Sequence, residues 1–452
     1  MEIETTVLKP RTLGLLLACL VAVTSAIGAA PRWSSVHSES LTVIGDTGPG
    51  ELRDVARRLE QFRLALGNVV ADAKPAPTLP TLVYVFGSRS ALQPFLPQRD
   101  GRPAALRGYF HRDADGYAIA MAVDDHGEEA SSIVFHEYTH LLLQRGRTLP
   151  IWLNEGLAEY FSTFALTSRG RTADIGRPVP RHVRLLRERF LPVAALLSVS
   201  AQSELYDEGE RRSVFYAEAW ALTHYLMTEM PEGPAAIARY IAEPAADRSA
   251  DERFRDAFGM MPIDFEPRLK AYVENPTFRS RIYTLPGRLD AEAGPARTLT
   301  HGEAAAWLGD LQRRIGRPAD AAIRIGDGIS SDPKSAAIQL ALGRLQLDQG
   351  RTADALASLS RAVASDPSSA TAFAWLAYAH MSIGQVPEAR TAIDRALALE
   401  PRRPDFRLRD ADVSVLEGDV SRARAVLLEV MANDAAVAAR ARERLNAIDR
   451  RR

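Results

Sequence analysis

The stretch from Ser131 to Thr163, SSIVFHEYTHLLLQRGRTLPIWLNEGLAEYFST, decides how the middle of this 452-residue chain is read. Its first part, Ser131 to Leu143, is predicted to be a helix opened by the serine pair and ended near Gly146. His136 and His140 stand four residues apart on it and face the same way, so both imidazoles can reach one ion while Glu137 points into the adjoining cleft. The second part, Ile151 to Thr163, is predicted to be a return helix with Pro150 as its start signal. It brings Glu155 back beside the two histidines. Two imidazoles and one carboxylate leave a fourth position open to water, the arrangement of a catalytic zinc. Glu159, one helical turn beyond Glu155, can accept the second N–H of a ligand histidine and fix its tautomer.

Upstream, strand-like and helix-like segments alternate. Leu41 to Ile44 and Thr81 to Phe86 are β-branched and aromatic runs, and Glu51 to Val70 between them has helical periodicity. Gly108 to Phe110 and Tyr117 to Val123 form a further strand pair around an Asp113-Ala114-Asp115-Gly116 turn. The order predicts an α+β domain with an N-terminal mixed sheet and a helical second half. The strand from Tyr117 to Val123 is expected to hold an extended substrate by backbone pairing.

HEYTH followed by NEGLAEY resembles the gluzincin metallopeptidases, the superfamily of thermolysin and the aminopeptidase N-like enzymes, and the layout is most similar to the bacterial peptidase MA-like group. The resemblance covers roughly residues 80 to 230. It implies a thermolysin-like peptidase domain with Zn2+ as cofactor, His136, His140 and Glu155 as metal ligands, Glu137 as general base and Glu159 as the carboxylate behind a ligand histidine. Fourteen residues separate His140 from Glu155. The aminopeptidase N-like spacing is longer and falls on Glu159, the rival third ligand. The G-x-M-E-N strand that anchors a substrate amino terminus in those enzymes is missing, so an exopeptidase has weak support, and endo- against exo-cleavage stays open. Phe215 to Met227, FYAEAWALTHYLM, resembles the helix that starts with a catalytic tyrosine, which makes Tyr216 the donor to the oxyanion, with His224 as an alternative. His37, His111, His126, His182, His301 and His380 form no ligand spacing among themselves. The loop with Asp124, Asp125 and His126, and the charge run from Asp207 to Arg212, read as solvated.

The last 150 or so residues repeat with a fixed period. Gly316, Gly350, Gly384 and Gly418 are each 34 residues apart, as are Pro333, Pro367 and Pro401, and Ala321, Ala355, Ala389 and Ala423. This resembles the tetratricopeptide repeat, a helical hairpin that buries its apolar stripe only by stacking on neighbours, with a concave face for a protein partner. Units fall at about 302–335, 336–369, 370–403 and 404–435, followed by a capping helix. The expected division is therefore a leader over 1–30, a metallopeptidase domain over 31–290 and a repeat domain over 296–452.

The leader reads as an export signal: Lys9 and Arg11, an apolar run from Leu13 to Val23, then small residues to Ala30. Leu16 to Cys19 resembles a lipoprotein lipobox, so cleavage, lipidation of Cys19 and an uncleaved anchor all stand as fates. The expected location is the periplasm or cell envelope of a bacterium, with membrane contact only through that segment. Cys19 is the sole cysteine, which excludes disulfides and cysteine nucleophiles from the mature chain. Lys and Arg total 56 against 57 Asp and Glu, so no net field favours nucleic acid. Almost all the basic residues are Arg, with Lys only at 9, 74, 270 and 334, which reads as a composition bias rather than a binding device. The function expected is zinc-dependent hydrolysis of a peptide or protein substrate. The alternative is a non-catalytic scaffold in which the repeats bind a partner and the peptidase domain is vestigial.

Overall fold

The computed structural model describes residues 32–69, 79–99, 102–104, 106, 108–123, 128–143, 149–200, 202–203, 209–242, 248–275 and 277–450. The leader with Cys19, the loop of Asp124 to His126, and Asp207 and Glu208 lie outside them. Residues Trp33–Arg452 form one compact unit.

Its N-terminal part is a mixed sheet with helices. In chain order come β1 (Ser34–His37), β2 (Thr42–Gly45), α1 (Pro49–Val69), β3 (Thr81–Phe86), β4 (Gly108–Asp113), β5 (Gly116–Ala122), α2 (Glu128–Leu143) and α3 (Ile151–Ser162). A small antiparallel sheet follows from β6 (Ala165–Thr167), β7 (Thr172–Ile175) and, later in the chain, β8 (Arg281–Thr284). Between β7 and β8 stand α4 (Pro180–Glu188), α5 (Gly209–Thr228) and α6 (Pro262–Glu274), with shorter helices between them. β9 (Arg297–Thr298) then returns to the large sheet, whose order is β9-β1-β2-β3-β5-β4. β2, β3 and β5 run parallel, and the other neighbours are antiparallel.

Strands buried on both faces carry near-continuous apolar runs, and TLVYVF and GYAIAMA do so. Alternate residues divide between two cores. Val83, Val85, Tyr117, Ile119 and Met121 pack with α1 and α2, including Phe62, Phe135 and Tyr138. Tyr84, Phe86, Ala118, Ala120 and Ala122 face the other way.

The first repeat helix covers that second face, together with Leu92, Phe95 and Leu96 of the segment after β3. The repeats comprise α7 (His301–Arg314), α8 (Pro318–Ser331), α9 (Ala336–Asp348), α10 (Thr352–Ser365), α11 (Ala370–Ser382), α12 (Val386–Leu399), α13 (Pro404–Leu416) and α14 (Val420–Asn433), closed by α15 (Ala435–Asp449). Ala304, Leu308 and Leu311 of α7, at helical spacing, are buried against Tyr84 and Phe86, and each leucine contributes roughly 1.5–3 kcal/mol by leaving water. Sheet and array thus share a core across the expected boundary at 290–296. The 34-residue glycines sit between the paired helices at φ of 73° to 81°, a left-handed backbone that favours glycine, and Ala321, Ala355, Ala389 and Ala423 are fully buried where the helices cross.

Two expectations are corrected. β5 lies between β3 and β4 and has both edges paired, so it offers no free backbone to an extended substrate. The helix carrying Tyr216 begins at Gly209, not at the tyrosine, because Glu210, Arg211 and Arg212 are good helix formers and extend α5 backwards. Those three residues are consequently helical and not loop. Among the described residues no helix is long and apolar enough to cross a membrane.

Candidate metal centre

Helices α2 and α3 bring the three expected ligands together. His136 and His140 point the same way from α2, with Nε2 atoms 3.2 Å apart and rings nearly perpendicular. Glu155 enters from α3, its Oε2 lying 3.3 Å from His136 Nε2 and 3.4 Å from His140 Nε2. Four ligands at about 2.0–2.2 Å from a tetrahedral zinc are about 3.3–3.6 Å from one another. The triangle of two nitrogens and one carboxylate oxygen therefore has the edges of a tetrahedral face, and these side chains fit a divalent ion. Among the described residues they are the one group of three or more that could hold a metal.

Why α3 sits so close is written in its sequence. Gly156 follows the candidate ligand Glu155, and a Cβ there would stand 2.1 Å from Thr223 Oγ1 and 2.4 Å from the Ala219 carbonyl oxygen on α5. Glycine lets α3 and α5 touch backbone to side chain. That contact also sets Tyr216 of α5 beside the site, its ring centre 6.2 Å from that of His136. His224, the alternative donor, faces elsewhere. It is fully buried, with Nε2 2.5 Å from the Gly176 carbonyl oxygen and Nδ1 2.6 Å from the Tyr272 hydroxyl on α6.

Glu159 is not in the triangle. Its Oε1 is 3.4 Å from His136 Nδ1, on the far side of that ring, and its Oε2 is 3.0 Å from His182 Nε2. The guanidinium of Arg181 also approaches Oε2, at 3.7 Å. His182 is a partner that sequence reasoning missed. Pro180 opens α4 at a position where a missing N–H costs nothing, and His182 and Leu186, four apart, form its buried face. The proline start and that short stripe were a signal; the pairing with Glu159, 23 residues away, was not.

The electrostatics favour positive charge. Burial would lower the His136 imidazole, but hydrogen bonds to Glu155 and Glu159 outweigh it and raise the group well above its ordinary value. Burial would raise the Glu155 carboxyl, yet His136 and His140 hold it below the carboxylate range, and His136 and His182 do the same for Glu159. Glu137, half-buried beside His136, is raised by burial, with the charges of Glu155 and Glu159 adding and those of His136 and His140 opposing. Two ionised carboxylates around a pair of imidazoles form a site that accepts cationic charge, and burial lifts the Glu137 carboxyl beside them above its ordinary range.

Comparison with known proteins matches these residues to a family model of open function. That model, described as a protein of unknown function (DUF1570), covers residues 130–246, a span containing every residue of the site. A tetratricopeptide repeat model matches residues 340–404 and 376–438. No curated protein matches the chain. Similar solved structures include a thermophilic tetratricopeptide repeat protein of Thermus thermophilus, at 20% identity over 32% of this chain and 80% of that one, with a TM-score of 0.29. MamA from Desulfovibrio magneticus is 21% identical over 29% of this chain and 73% of its own, with a TM-score of 0.27. The second repeat domain of Spaghetti (RPAP3), bound to an HSP90 peptide, is 21% identical over 22% and 93%, at 0.21. The chain carries tetratricopeptide repeats behind a mixed-sheet N-terminal region, and its repeats are of a kind suited to protein interaction.

Proposed function

We propose that this chain is an exported zinc-dependent peptidase of the gluzincin kind, with a thermolysin-like catalytic half and a repeat array that engages a substrate or partner protein. The observation that carries the reading is the triangle of His136 Nε2, His140 Nε2 and Glu155 Oε2, with edges of 3.2–3.4 Å. These three side chains would hold the ion. When bound, zinc supplies Lewis-acid activation of water and of the scissile carbonyl. Glu137 takes the proton of the attacking water and passes it to the leaving amine as the C–N bond breaks. The Tyr216 hydroxyl, on the side chain beside His136, donates to the carbonyl oxygen as negative charge develops there. Glu159 accepts from His136 Nδ1 and keeps Nε2 free for the ion, and His182 holds Glu159.

Purified mature protein is expected to cleave a casein-like substrate in a reaction stopped by chelator and restored by zinc. Partner capture with no such cleavage would instead favour the scaffold reading. The supporting carboxylate has its own signature: Glu159→Gln and His182→Ala should each keep one site per chain but weaken zinc affinity by about 10- to 100-fold in a competition titration. Unchanged affinity in both would remove Glu159 and His182 from the centre.

A further inference from the structure

Two positions of the repeat recur every 34 residues on the first helix of each unit. One series is Trp307, Ala341, Trp375 and Arg409; the other is Asp310, Arg344, Tyr378 and Asp412. Around Trp375 three guanidiniums gather, those of Arg344, Arg409 and Arg313 lying 4.9, 5.0 and 6.0 Å from the ring centre. Into this cluster projects the β4–β5 turn of the sheet. Arg314 makes a two-pronged bond to Asp113, at 2.7 and 3.0 Å. Asp115 pairs with Arg313 at 2.7 Å and with Arg344. Arg440 of α15 donates to the Ala114 carbonyl oxygen at 3.2 Å. The first helices of successive units thus converge with the capping helix on one acidic loop, as the inner face of a curved array does.

The turn is shaped for that place. The Asp115 backbone N–H donates to Asp113 Oδ1 at 2.8 Å, and Gly116 has φ +126°, where a Cβ would meet the Pro80 carbonyl oxygen at 2.4 Å. The side chains of Arg313, Arg314 and Arg344 are at most one-tenth exposed. Arg344 also keeps a donor in reserve, since its Nε has no acceptor among the described residues. Asp310 of the array also holds Arg344 and Arg313, at 3.0 and 2.9 Å, and Asp348 holds Arg313 at 2.9 Å, so a ligand carboxylate in reach of the Arg344 Nε would add to what turn and array together supply.

We propose that the inner face of the array is a recognition site for an acidic peptide segment, that the Asp113–Gly116 turn is its resident occupant, and that an acidic segment of a partner protein binds by taking the turn's place. This deepens the partner-binding part of the function proposed above and is independent of the metal. The probe is a fluorescein-labelled, cyclised peptide copying residues 110–119, titrated by anisotropy into the full chain at low salt. Asp115→Asn should bind it at least tenfold more tightly than wild type, because the occupant loses a charged anchor while the arginines stay. Adding Arg344→Ala to that variant should remove the gain, and rising NaCl should weaken binding. Wild-type protein supplies a check that needs no substitution: saturating peptide should speed hydrogen exchange at the Asp115 amide. Equal affinity for wild type and Asp115→Asn, or unchanged exchange with peptide bound, overturns the occupancy while leaving partner binding elsewhere on the array intact. No binding to any form at low salt overturns the acidic recognition itself.

Discussion

Glu137→Gln is expected to keep its zinc and to lose chelator-sensitive peptide cleavage by about 10²–10⁴-fold, the range general-base removal commonly costs. The substitution preserves size and hydrogen-bonding shape, so the neighbouring triangle of His136, His140 and Glu155 should remain. What it removes is a carboxylate whose proton affinity is lifted first by burial and then by Glu155 and Glu159. A base tuned upward accepts a proton from water and yields it to an amine near neutral pH with less mismatch than an ordinary glutamate. Single-turnover cleavage of a casein-derived peptide, paired with zinc content, separates this from loss of the ion. A variant that cleaves at the wild-type rate would assign the base elsewhere.

The second large effect concerns stability and pH. Glu218 lies fully buried on α5, its Oε2 accepting from the Leu191 backbone N–H at 2.7 Å. Burial pushes its carboxyl up to about 8, the charge of Glu266 adding and the Leu191 bond and Lys270 opposing. Below about 4.5 the group is neutral in both states. Between 4.5 and about 8 the unfolded chain releases the proton and the folded chain keeps it, so stability falls as pH rises through that window and levels off above it. The full loss is on the order of 5 kcal/mol. Glu218→Gln mimics the neutral form at every pH. In urea unfolding of chelator-treated protein it should match wild type near pH 4.5 and exceed it by a few kcal/mol at pH 9. A difference that does not change with pH would mean that Glu218 is ionised in the fold.

His224 works in the opposite sense on the same helix. Burial lowers its imidazole to about 4, against the Gly176 hydrogen bond, so the unfolded chain binds the extra proton between about 4 and 6.5 and stability rises with pH there. The two groups offset each other in part between about 4.5 and 6.5; above 6.5 the raised His136 adds its own decline to that of Glu218, and comparison with Glu218→Gln cancels the His136 part.

The parts of the molecule that were legible in the sequence are those with short-range patterns. The 34-residue glycines announced the left-handed turns that they make, and the i, i+4 histidines announced a shared face on α2. Thr81 to Phe86 and the 113–116 turn were readable from β-branched runs and turn residues, as in β3 and the β4–β5 hairpin. Long-range partners were not legible. The pairing of His182 with Glu159 depends on how α4 lies over α3, and no spacing encodes it. The strand expected to hold substrate failed because that expectation rested on segment order, whereas the near-continuous apolar run GYAIAMA is that of a strand buried on both faces, and here both of its edges are paired. The arginine excess read as composition bias, yet Arg313, Arg314 and Arg344 are buried partners of the β4–β5 turn, where a flat two-pronged cation outperforms lysine.

The central claim is that one divalent ion is held by His136, His140 and Glu155, and zinc titration of chelator-stripped full-length protein, followed by calorimetry, tests it directly. One ion per chain is expected for wild type, with the site abolished in His136→Ala, His140→Ala and Glu155→Ala and merely weakened in Glu159→Ala. Full binding in Glu155→Ala together with an empty site in Glu159→Ala, or no stoichiometric binding by the folded wild-type protein, would contradict it.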